Sequence, residues 1–409
     1  MNEISKDSLA TLEFQLTWTS DVGIHTEIYH AEHVNFWRDI FPQEVYEALM
    51  GSRQGERLHF SLLPGEFAPS SDPGRILTIQ DRQFDRRKIN GHQIQPQVGR
   101  FYPKGLLKGL AGIHNGNIEP FRCVDIEPPR LTADLNHPLS GKAVELEVVV
   151  RDIKQKMTDR GGRLMDWAET ITEGPGMQVR YNGSPTDFFS DNPFVRSDEE
   201  ADSLFYDQPR LVTHIDSKAI ETISALYGTI LKPGMRVLDL MSSWRSHVPA
   251  SLELESVVGL GLNSEEMENN PQLTNYIVHD LNKDPRLPFD DQTFDAVICT
   301  VSVEYMIHPF NVFIDLARVL KPGGFLIHTL SNRWFPPKAI RMWAVLSEFE
   351  RMGLVLEYFL GAGAYKDLET YSARGRPRPE TDRHYPEILT ADPVYAVWGT
   401  RIGDWKTRS

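Results

Sequence analysis

The chain has 409 residues, and because domains usually contain about 100 to 200 residues, this length predicts two or three domains. Its formal net charge of -14 argues against broad nucleic-acid binding, since phosphate backbones require a basic surface. Two cysteines, Cys123 and Cys299, are too few for a disulfide framework. No stretch approaches the roughly 18 apolar residues of a membrane span, and the N-terminus lacks a signal-peptide pattern. We therefore expect a soluble cytoplasmic protein with no nucleic-acid or membrane partner.

Residues 1–155 follow the pattern of a mostly β domain, with one helical stretch at about 42–50. From 156 to 205 this pattern fails, but aromatic residues are too frequent there for a freely solvated linker. We expect the segment 156–205 to pack on the C-terminal domain. The strand-like runs of the first domain are 11–18, 57–63, 75–79, 119–126 and 143–153.

After residue 216 the hydrophobic pattern changes to alternating strands and helices. Helical patterns at 311–320 and 338–352 are each followed by glycine. Runs at 354–359 and 393–399 are expected to close the sheet. The pattern predicts a doubly wound α/β domain over 206–409. Short apolar runs typical of buried parallel strands lie at 237–240, 257–260, 276–279, 296–300 and 325–330.

Three motifs in this half resemble those of class I S-adenosylmethionine-dependent methyltransferases of the methyltransferase-11 type. The run RVLDL at 236–240 resembles their first strand, and LPFDDQTFDAV at 287–297 resembles the segment that leads into their fourth. The run ARVLKPGG at 317–324 resembles their turn into strand five. The resemblance implies a Rossmann-like fold with a seven-stranded, mostly parallel sheet, and S-adenosylmethionine as the cofactor.

The same resemblance implies which residues would hold the cofactor. The methionine end would lie on the loop after strand one, the ribose at the end of strand two, and the adenine after strand three. The end of strand four would form the floor of the site. The corresponding residues are Asp239, Met241, Ser242 and Ser243, then Gly261, Leu262 and Asn263, then Asp280 and Leu281, and last Thr300 and Val301.

Two positions depart from the family pattern. The glycine loop after strand one is replaced by a serine-rich loop with Trp244, although a Cβ is costly where the backbone approaches a cofactor. Trp244 could fill the methionine end of the pocket. The acidic residue expected at the end of strand two is replaced by Gly261, and the amide oxygen of Asn263 is a candidate substitute. A poorly characterised subgroup of the family shares the serine–tryptophan loop, which indicates a family trait.

The sequence assigns no catalytic residue and no metal site. Methyl transfer from a sulfonium can proceed by alignment alone, so a base is optional. We expect four residues to line the substrate pocket, with the tyrosine at 206 as a lid and the arginine at 210 as an anchor for a carboxylate. These residues are Tyr206, Arg210, Glu304 and Tyr305, and further polar candidates, each with a structural role as the alternative, are His214, His247, His279 and His308.

The N-terminal half resembles the SlyD-like branch of FKBP-type peptidyl-prolyl isomerases. The run EALMGSRQGER at 47–57 resembles the helix and turn before an FKBP strand, and NHPLSGK at 136–142 resembles the return strand. Residues 68–135 have the place and length of the chaperone lobe inserted in that branch. The resemblance implies a polypeptide client. The isomerase signature of that family is missing from this chain, so we expect no substantial proline isomerisation. The aromatic residues at 29–41 form either a hollow or plain core.

Two functions are compatible with these features. The first is an S-adenosylmethionine-dependent methyltransferase of unknown acceptor, with an FKBP-like domain that binds peptide or protein. The second is a non-catalytic pseudo-methyltransferase with a chaperone-like or isomerase-type N-terminal domain, because both the glycine loop and the strand-two acid are replaced. Binding of S-adenosylhomocysteine would distinguish them.

Overall fold

The computed structural model describes residues 3–89, 92–155 and 162–405. The domain boundary that the sequence predicts after residue 155 adjoins residues 156–161, which lie outside the described residues. Across the described ranges, every helix is too short or too polar to cross a membrane.

The chain forms two compact units. The N-terminal unit comprises Met1–Asp187 and Ser372–Arg376. The C-terminal unit comprises Phe188–Tyr371 and Pro377–Ser409. Each unit has its own buried core, and they are described in turn.

The N-terminal unit is mostly β-structure, as its alternating apolar pattern predicts. Two short helices accompany ten strands in its described residues. The elements are β1 (Ser8–Thr19), β2 (Gly23–Asn35), α1 (Gln43–Leu49), β3 (Arg57–Leu62), β4 (Ile76–Gln80), β5 (Lys88–Ile89), β6 (His92–Gln93), β7 (Phe101–Pro103), β8 (Pro120–Glu127), β9 (Arg130–Asp134), β10 (Val144–Gln155) and α2 (Trp167–Thr172).

The long strands of this unit form an antiparallel sheet in the order β2-β1-β10-β3. Alternate side chains of β1, such as Leu12, Phe14 and Leu16, are fully buried, and the intervening ones are more exposed. This alternation is typical of an antiparallel sheet with one covered face. The residues between β3 and β10 form a separate four-stranded sheet, β4-β9-β8-β7.

The aromatic residues near α1 form packed core and not a hollow. Phe36 is buried, and its ring lies parallel to that of Phe41 with centroids 5.5 Å apart. Tyr46 of α1 packs against both rings, at 6.3 and 6.1 Å. Trp37 is half exposed. The sequence left open whether these residues form a hollow or a packed core, and the structure shows a packed core.

The segment expected to pack on the C-terminal domain is divided at Asp187. Trp167, at the start of α2, lies in the core of the N-terminal unit, 6.1 Å from the ring of Phe14. Its Nε1 donates to the buried Asp39 Oδ2 over 3.0 Å. The expectation is therefore wrong for this part of the segment, because hydrophobicity predicts that an aromatic residue is buried but not which core receives it.

The later part of the segment belongs to the C-terminal unit. The ring of Phe189 lies 5.1 Å from that of Phe310 and 6.3 Å from that of Tyr358. Phe194 stacks on Phe189 at 6.1 Å. These contacts fix residues 188–194 to the helical face of this unit, so they are part of its core.

The C-terminal unit alternates strands and helices. Its strand order is β13-β12-β11-β14-β15-β17-β16, with neighbours from β13 to β15 parallel and β17 antiparallel to β15, so its fold is Rossmann-like. The elements are α3 (Asp202–Phe205), α4 (Ser217–Ile230), β11 (Arg236–Leu240), β12 (Ser256–Gly261), α5 (Ser264–Glu268), β13 (Asn275–Val278), β14 (Phe294–Thr300), α6 (Pro309–Val319), β15 (Leu320–Leu330), α7 (Arg341–Val345), α8 (Glu348–Ala362), β16 (Tyr365–Arg374) and β17 (Val394–Arg401).

One sequence-predicted strand is wrong. The apolar run at 354–359 is part of helix α8, which runs through Gly353 and ends at Gly363 in a left-handed conformation, φ 60°. The helix begins with a capping box formed by Ser347 and Glu350. Nearly the whole of α8 is buried, and a short apolar run that is covered on all sides does not distinguish a helix from a strand.

The N-terminal unit contains a buried carboxyl group on β2. Glu27 is 1% exposed, accepts a hydrogen bond from Gln178 Nε2 over 3.1 Å, and accepts another from Ser372 Oγ. Burial raises the pKa of Glu27 to about 7, although both hydrogen bonds and the charge of Arg374 oppose the shift. The carboxyl group is therefore half protonated near neutral pH.

We predict that Glu27→Gln makes this sheet less sensitive to pH. In the unfolded chain Glu27 ionises near its ordinary pKa, so the stability present below about pH 4.5 is lost as pH rises through 7. The free energy of unfolding falls by about 3 kcal/mol over this pH range. Hydrogen exchange of the β1 and β2 amides at pH 5 and pH 8 measures it, with the exposed Glu32→Gln on the same strand as control. Equal pH dependence in the wild type and Glu27→Gln would contradict this assignment.

Candidate functional site

A cavity of about 330 Å³ opens at the carboxyl ends of the parallel strands in the C-terminal unit. Open α/β sheets bind ligands at this edge, and the volume is in the usual range for a small-molecule site. The walls are the loops after β11, β12, β13 and β14, together with the segment before α4. All eleven residues that the family resemblance assigns to the cofactor line this one cavity.

The loop after β11 is held from below by a buried carboxylate. Asp239 Oδ2 accepts hydrogen bonds from Ser242 Oγ over 2.6 Å and from Ser246 Oγ over 2.7 Å. Burial raises the pKa of Asp239 to about 6, and the two hydroxyl hydrogen bonds oppose this shift. Met241 and His247 adopt the left-handed conformation, with φ of 56° and 58°. The loop therefore makes without glycine the sharp turns that the family usually makes with glycine.

This loop crosses the end of β12 at very short range. Ser242 N donates to Leu260 O over 2.8 Å. A Cβ placed on Gly261 would lie 2.2 Å from Ser242 O, so no side chain fits there. The two departures from the family pattern thus have one cause: the loop occupies the space into which an acidic side chain at the end of β12 would project.

A carboxylate that the sequence analysis missed lies beside this position. Glu266, on α5, is 9% exposed and lines the cavity. Its Oε2 accepts from Ser243 Oγ and its Oε1 from Arg210 N, both over 2.6 Å. Asn263 caps α5 by accepting from Glu266 N over 3.0 Å. The Asn-x-x-Glu spacing of a capped helix could have indicated this carboxylate.

The amide of Asn263 is engaged within the protein. Its Oδ1 serves as the α5 cap, and its Nδ2 donates to Tyr206 O over 2.9 Å and to Asp207 O over 3.1 Å. The structure therefore favours Glu266 over Asn263 as the acidic group on this side of the cavity.

Asp280 and Leu281 form the wall after β13. Asp280 Oδ1 accepts from Asn282 N over 3.0 Å and from Lys283 N over 3.2 Å, which is an Asx turn. Both hydrogen bonds involve Oδ1. Leu281 is 4% exposed and contributes apolar surface. Asp280 therefore has a structural role in its turn and also faces the cavity.

The floor of the cavity contains a strained backbone. Val301 has φ of 48°, which is unfavourable for a β-branched residue, and its N donates to Thr329 O over 2.8 Å. Thr300 Oγ1 lies 2.7 Å from Tyr227 OH, which is 3.1 Å from Thr329 Oγ1. This hydroxyl network joins α4, β14 and β15 beneath the cavity and holds the strained residue in place.

We call residues 196–216 the lid segment, because they cover one side of the cavity. Asp202 accepts from Arg196 Nη1 over 2.7 Å and from Asn282 Nδ2 over 2.7 Å. Lys338 is fully buried, and its Nζ donates to Glu200 O over 2.7 Å. It also lies 3.3 Å from Asp202 Oδ1. Such buried pairs fix geometry more than they add stability.

Arg210 lies inside an aromatic cluster on the lid segment. Its Cζ is 4.4 Å from the ring centroid of Phe205, 5.0 Å from that of Phe335 and 5.7 Å from that of Tyr206. Its Nη2 donates to Phe205 O over 3.1 Å. Its Nη1 is buried and makes no hydrogen bond within the described ranges. The N–H groups of Arg210 Nη1 are therefore available to a ligand at the cavity wall.

One predicted substrate-pocket residue lies elsewhere. Tyr206, Arg210 and Tyr305 line the cavity, but the carboxyl of Glu304 is in the protein interior. Burial raises the pKa of Glu304 to about 8. The prediction is wrong for this residue, because adjacent side chains of the turn Val303–Tyr305 point in different directions. Sequence proximity to the strand end does not resolve that direction.

Three of the four candidate histidines line the cavity. His214, His247 and His279 do so, whereas His308 precedes α6. Burial and then the charge of Arg210 lower the pKa of His214. Burial and then Arg245 lower the pKa of His247 to about 4. Burial therefore keeps both rings uncharged and makes them weaker bases.

Trp244 also lines the cavity, where the sequence suggested that it could fill the methionine end. Its Nε1 donates to Val212 O over 3.1 Å, which ties the loop after β11 to the lid segment. Arg245 stacks on the indole with Cζ 4.4 Å from the ring centroid. Over the described ranges, no group of three or more His, Cys, Asp or Glu residues is placed to hold a metal ion.

Comparison with known proteins agrees with this geometry. Residues 248–328, which run from the β11 loop to β15, match the methyltransferase domain family. The C-terminal unit is thus similar to this family over residues 248–328. The match begins after the unusual loop, so the similarity lies in the later strands and not in the first cofactor loop.

Two curated methyltransferases match part of this chain. The malonyl-(acyl-carrier protein) O-methyltransferase of Marinomonas sp. is 28% identical over 79 residues, which is 19% of this chain and 28% of that protein. The ubiquinone/menaquinone biosynthesis C-methyltransferase UbiE of Laribacter hongkongensis is 28% identical over 124 residues, 27% of this chain and 49% of that protein. This chain thus spans less than half the length of either relative.

Solved structures also resemble the domain. A SAM-dependent methyltransferase from Aquifex aeolicus is 20% identical, with a TM-score of 0.30, and the match covers 49% of this chain and 97% of that chain. A further S-adenosylmethionine-dependent methyltransferase, from Mesorhizobium loti, is 17% identical with a TM-score of 0.30, and the match covers 43% of this chain and 96% of that chain.

We predict that Gly261→Ala disrupts the methyltransferase domain at the β11 loop. The added Cβ would lie 2.2 Å from Ser242 O, a backbone atom, so the loop must move. Overpacking of this kind costs about 1 to 3 kcal/mol. Thermal unfolding and hydrogen exchange of residues 241–246 measure the effect. The control is Gly403→Ala, where an added Cβ meets nothing within 4 Å. Equal stability and exchange in the two variants would contradict the close approach.

Proposed function

We propose that the C-terminal unit is an S-adenosylmethionine-dependent methyltransferase. The observation that carries this proposal is the convergence of all eleven residues assigned by resemblance on one cavity at the carboxyl edge of a Rossmann-like sheet. The methyltransferase domain match supports the same function.

The residues of the cavity suit the chemical groups of this cofactor. The buried Arg210 Nη1, which lacks a partner in the described chain, suits the methionine carboxylate. Glu266 is the carboxylate nearest the end of β12 and suits the ribose hydroxyls. Asp280 and Leu281 offer an acceptor and an apolar surface for the adenine. The backbone of Ser243 belongs to the loop that would face the methionine end.

The protein's own contribution would be alignment. S-adenosylmethionine, when bound, supplies a methyl group on a sulfonium that is already an activated leaving group. Burial raises the pKa values of Tyr206 and Tyr305 well above the ordinary value, so both stay neutral hydroxyls that orient and donate. The uncharged imidazoles of His214 and His247 can orient an acceptor by hydrogen bonds, but their lowered pKa values make them weak bases. The lid segment would exclude water from one side.

We predict that the full chain binds S-adenosylhomocysteine and that Arg210→Gln weakens this binding at least about tenfold, since a lost charged hydrogen bond costs about 1.5 to 3 kcal/mol. Asp280→Asn keeps the Oδ1 acceptor of the Asx turn, whereas Asp280→Ala removes it. If both variants bind S-adenosylhomocysteine more weakly, the charge of Asp280 contributes to binding. Titration calorimetry measures the affinities. The control is Arg236→Gln, which neutralises an arginine at the opposite end of β11.

The outcomes separate the two functions. Unchanged affinity in Arg210→Gln would remove Arg210 from the cofactor site. No binding of S-adenosylhomocysteine to the wild type would favour a non-catalytic pseudo-methyltransferase.

We further propose that the N-terminal unit is FKBP/SlyD-like and binds polypeptide. The supporting observation is topological. β3 and β10 are adjacent antiparallel strands, yet about 80 residues separate them, and these residues form the second sheet β4-β9-β8-β7. An autonomous sheet inserted between paired strands is the arrangement that the SlyD-like resemblance implies.

We predict that replacing residues 68–135 by a short turn diminishes the protein's ability to suppress aggregation of a denatured client. The pairing of β3 with β10 should survive, since it does not use the inserted residues. Light scattering of the client measures the effect, and unchanged S-adenosylhomocysteine affinity is the control for folding. Full suppression by the shortened chain would contradict the role of the lobe. A high proline-isomerisation rate in the intact protein would overturn the expectation of weak isomerase activity.

A further inference from the structure

A second cavity, of about 430 Å³, adjoins the first in the C-terminal unit. It lies between residues 211–216 of the lid segment and the loop at 381–384. His214, Trp244, Arg333 and Arg383 are among the residues that line both cavities, so the two cavities share part of their wall. None of these four was assigned to the cofactor.

The acidic residues of the second cavity share one buried arginine. Arg378 is almost fully buried, with its side chain 1% exposed. Its Nη2 donates to Asp392 Oδ1 over 2.6 Å and its Nη1 to Asp382 Oδ1 over 2.9 Å. The same Nη1 lies 3.4 Å from Asp216 Oδ2. Each of the three carboxylates that line the cavity therefore has a buried cationic partner.

The cations of this cavity are less completely engaged. Arg333 has a side chain 29% exposed and approaches Asp392 Oδ1 only through Nε, at 3.2 Å. Arg383 is exposed, and its hydrogen bond in the described chain runs from Nε to His384 Nε2 over 3.1 Å. The guanidinium fork of arginine matches the geometry of carboxylate and phosphate oxygens. The two guanidinium groups can therefore hold an oxyanion, although the three aspartates of the lining balance their charge together with that of Arg378.

We propose that the second cavity is the chamber for the methyl acceptor, and that it takes a small organic molecule bearing an oxyanion, a carboxylate or a phosphate, held by Arg333 and Arg383. The inference rests on the proposed methyltransferase function. The rest of the acceptor molecule extends past His214 and Trp244 into the first cavity. Trp244 is fixed there by its hydrogen bond to Val212 O, so it offers a rigid apolar wall at the junction.

Binding of simple aromatic anions to the full chain tests the proposal. The probes are benzoate and phenyl phosphate, with benzamide as the neutral molecule of the same shape, observed by saturation-transfer NMR and calorimetry. We expect the wild type to bind at least one anion at least about tenfold more tightly than benzamide. The stronger of the two anions identifies carboxylate or phosphate as the preferred oxyanion.

Two arginine variants locate the binding. Arg383→Gln changes an exposed side chain and should leave the fold intact, whereas Arg333→Gln also removes a partner of Asp392. We expect each to weaken anion binding several-fold and the double variant at least about tenfold. The affinity for S-adenosylhomocysteine should stay within about twofold. Arg236→Gln, at the opposite end of β11, is the matched control and should bind the anions like the wild type.

Each failure has a distinct meaning. Equal binding of benzoate and benzamide, no anion binding by the wild type, or full anion binding by Arg383→Gln would overturn the oxyanion chamber while S-adenosylhomocysteine binding is intact. Absence of S-adenosylhomocysteine binding in the wild type would overturn the proposed function and with it the acceptor assignment.

Discussion

The close approach of the β11 loop to the end of β12 is the contact on which the cavity depends. Ser242 donates its backbone N–H to Leu260 and projects its carbonyl to where a Cβ at 261 would be. Asp239 holds the loop from below through two serine hydroxyls. A serine-rich loop can replace a glycine-rich one because its hydroxyls satisfy the buried carboxylate, while the strain is taken by Met241 and His247.

The position of this loop also determines where the acidic group lies. With position 261 closed to any side chain, Glu266 on α5 brings a carboxylate to the same side of the cavity, and it also binds Ser243 and Arg210 N. The loop, the helix and the lid segment are thereby joined at one residue. A change in any of them would alter the cavity wall, which is why the serine–tryptophan loop and the strand-two glycine occur together here.

Charge is distributed unevenly around the two adjoining cavities. Arg378 is the buried partner that the three aspartates of the second cavity share, and Lys338 and Arg196 pair with Asp202 beside the first. These buried pairs position the lid segment, and other arginines face the open space. Acidic and basic side chains therefore occur together in the walls of both cavities.

The sequence alone determined the Rossmann-like fold and the strand ends at which the site lies, because hydrophobic periodicity and the LPFDDQTFDAV and ARVLKPGG motifs depend on local order along the chain. The resemblance of its motifs to a methyltransferase family, and not periodicity, assigned the eleven cofactor candidates. Only the tertiary structure showed that helix α8 replaces a predicted strand, that Glu304 points into the core, and that Trp167 belongs to the N-terminal unit. It also decided that Ser242 excludes a side chain at 261, since a 2.2 Å clash between the β11 loop and the end of β12 is a property of packing and not of either segment.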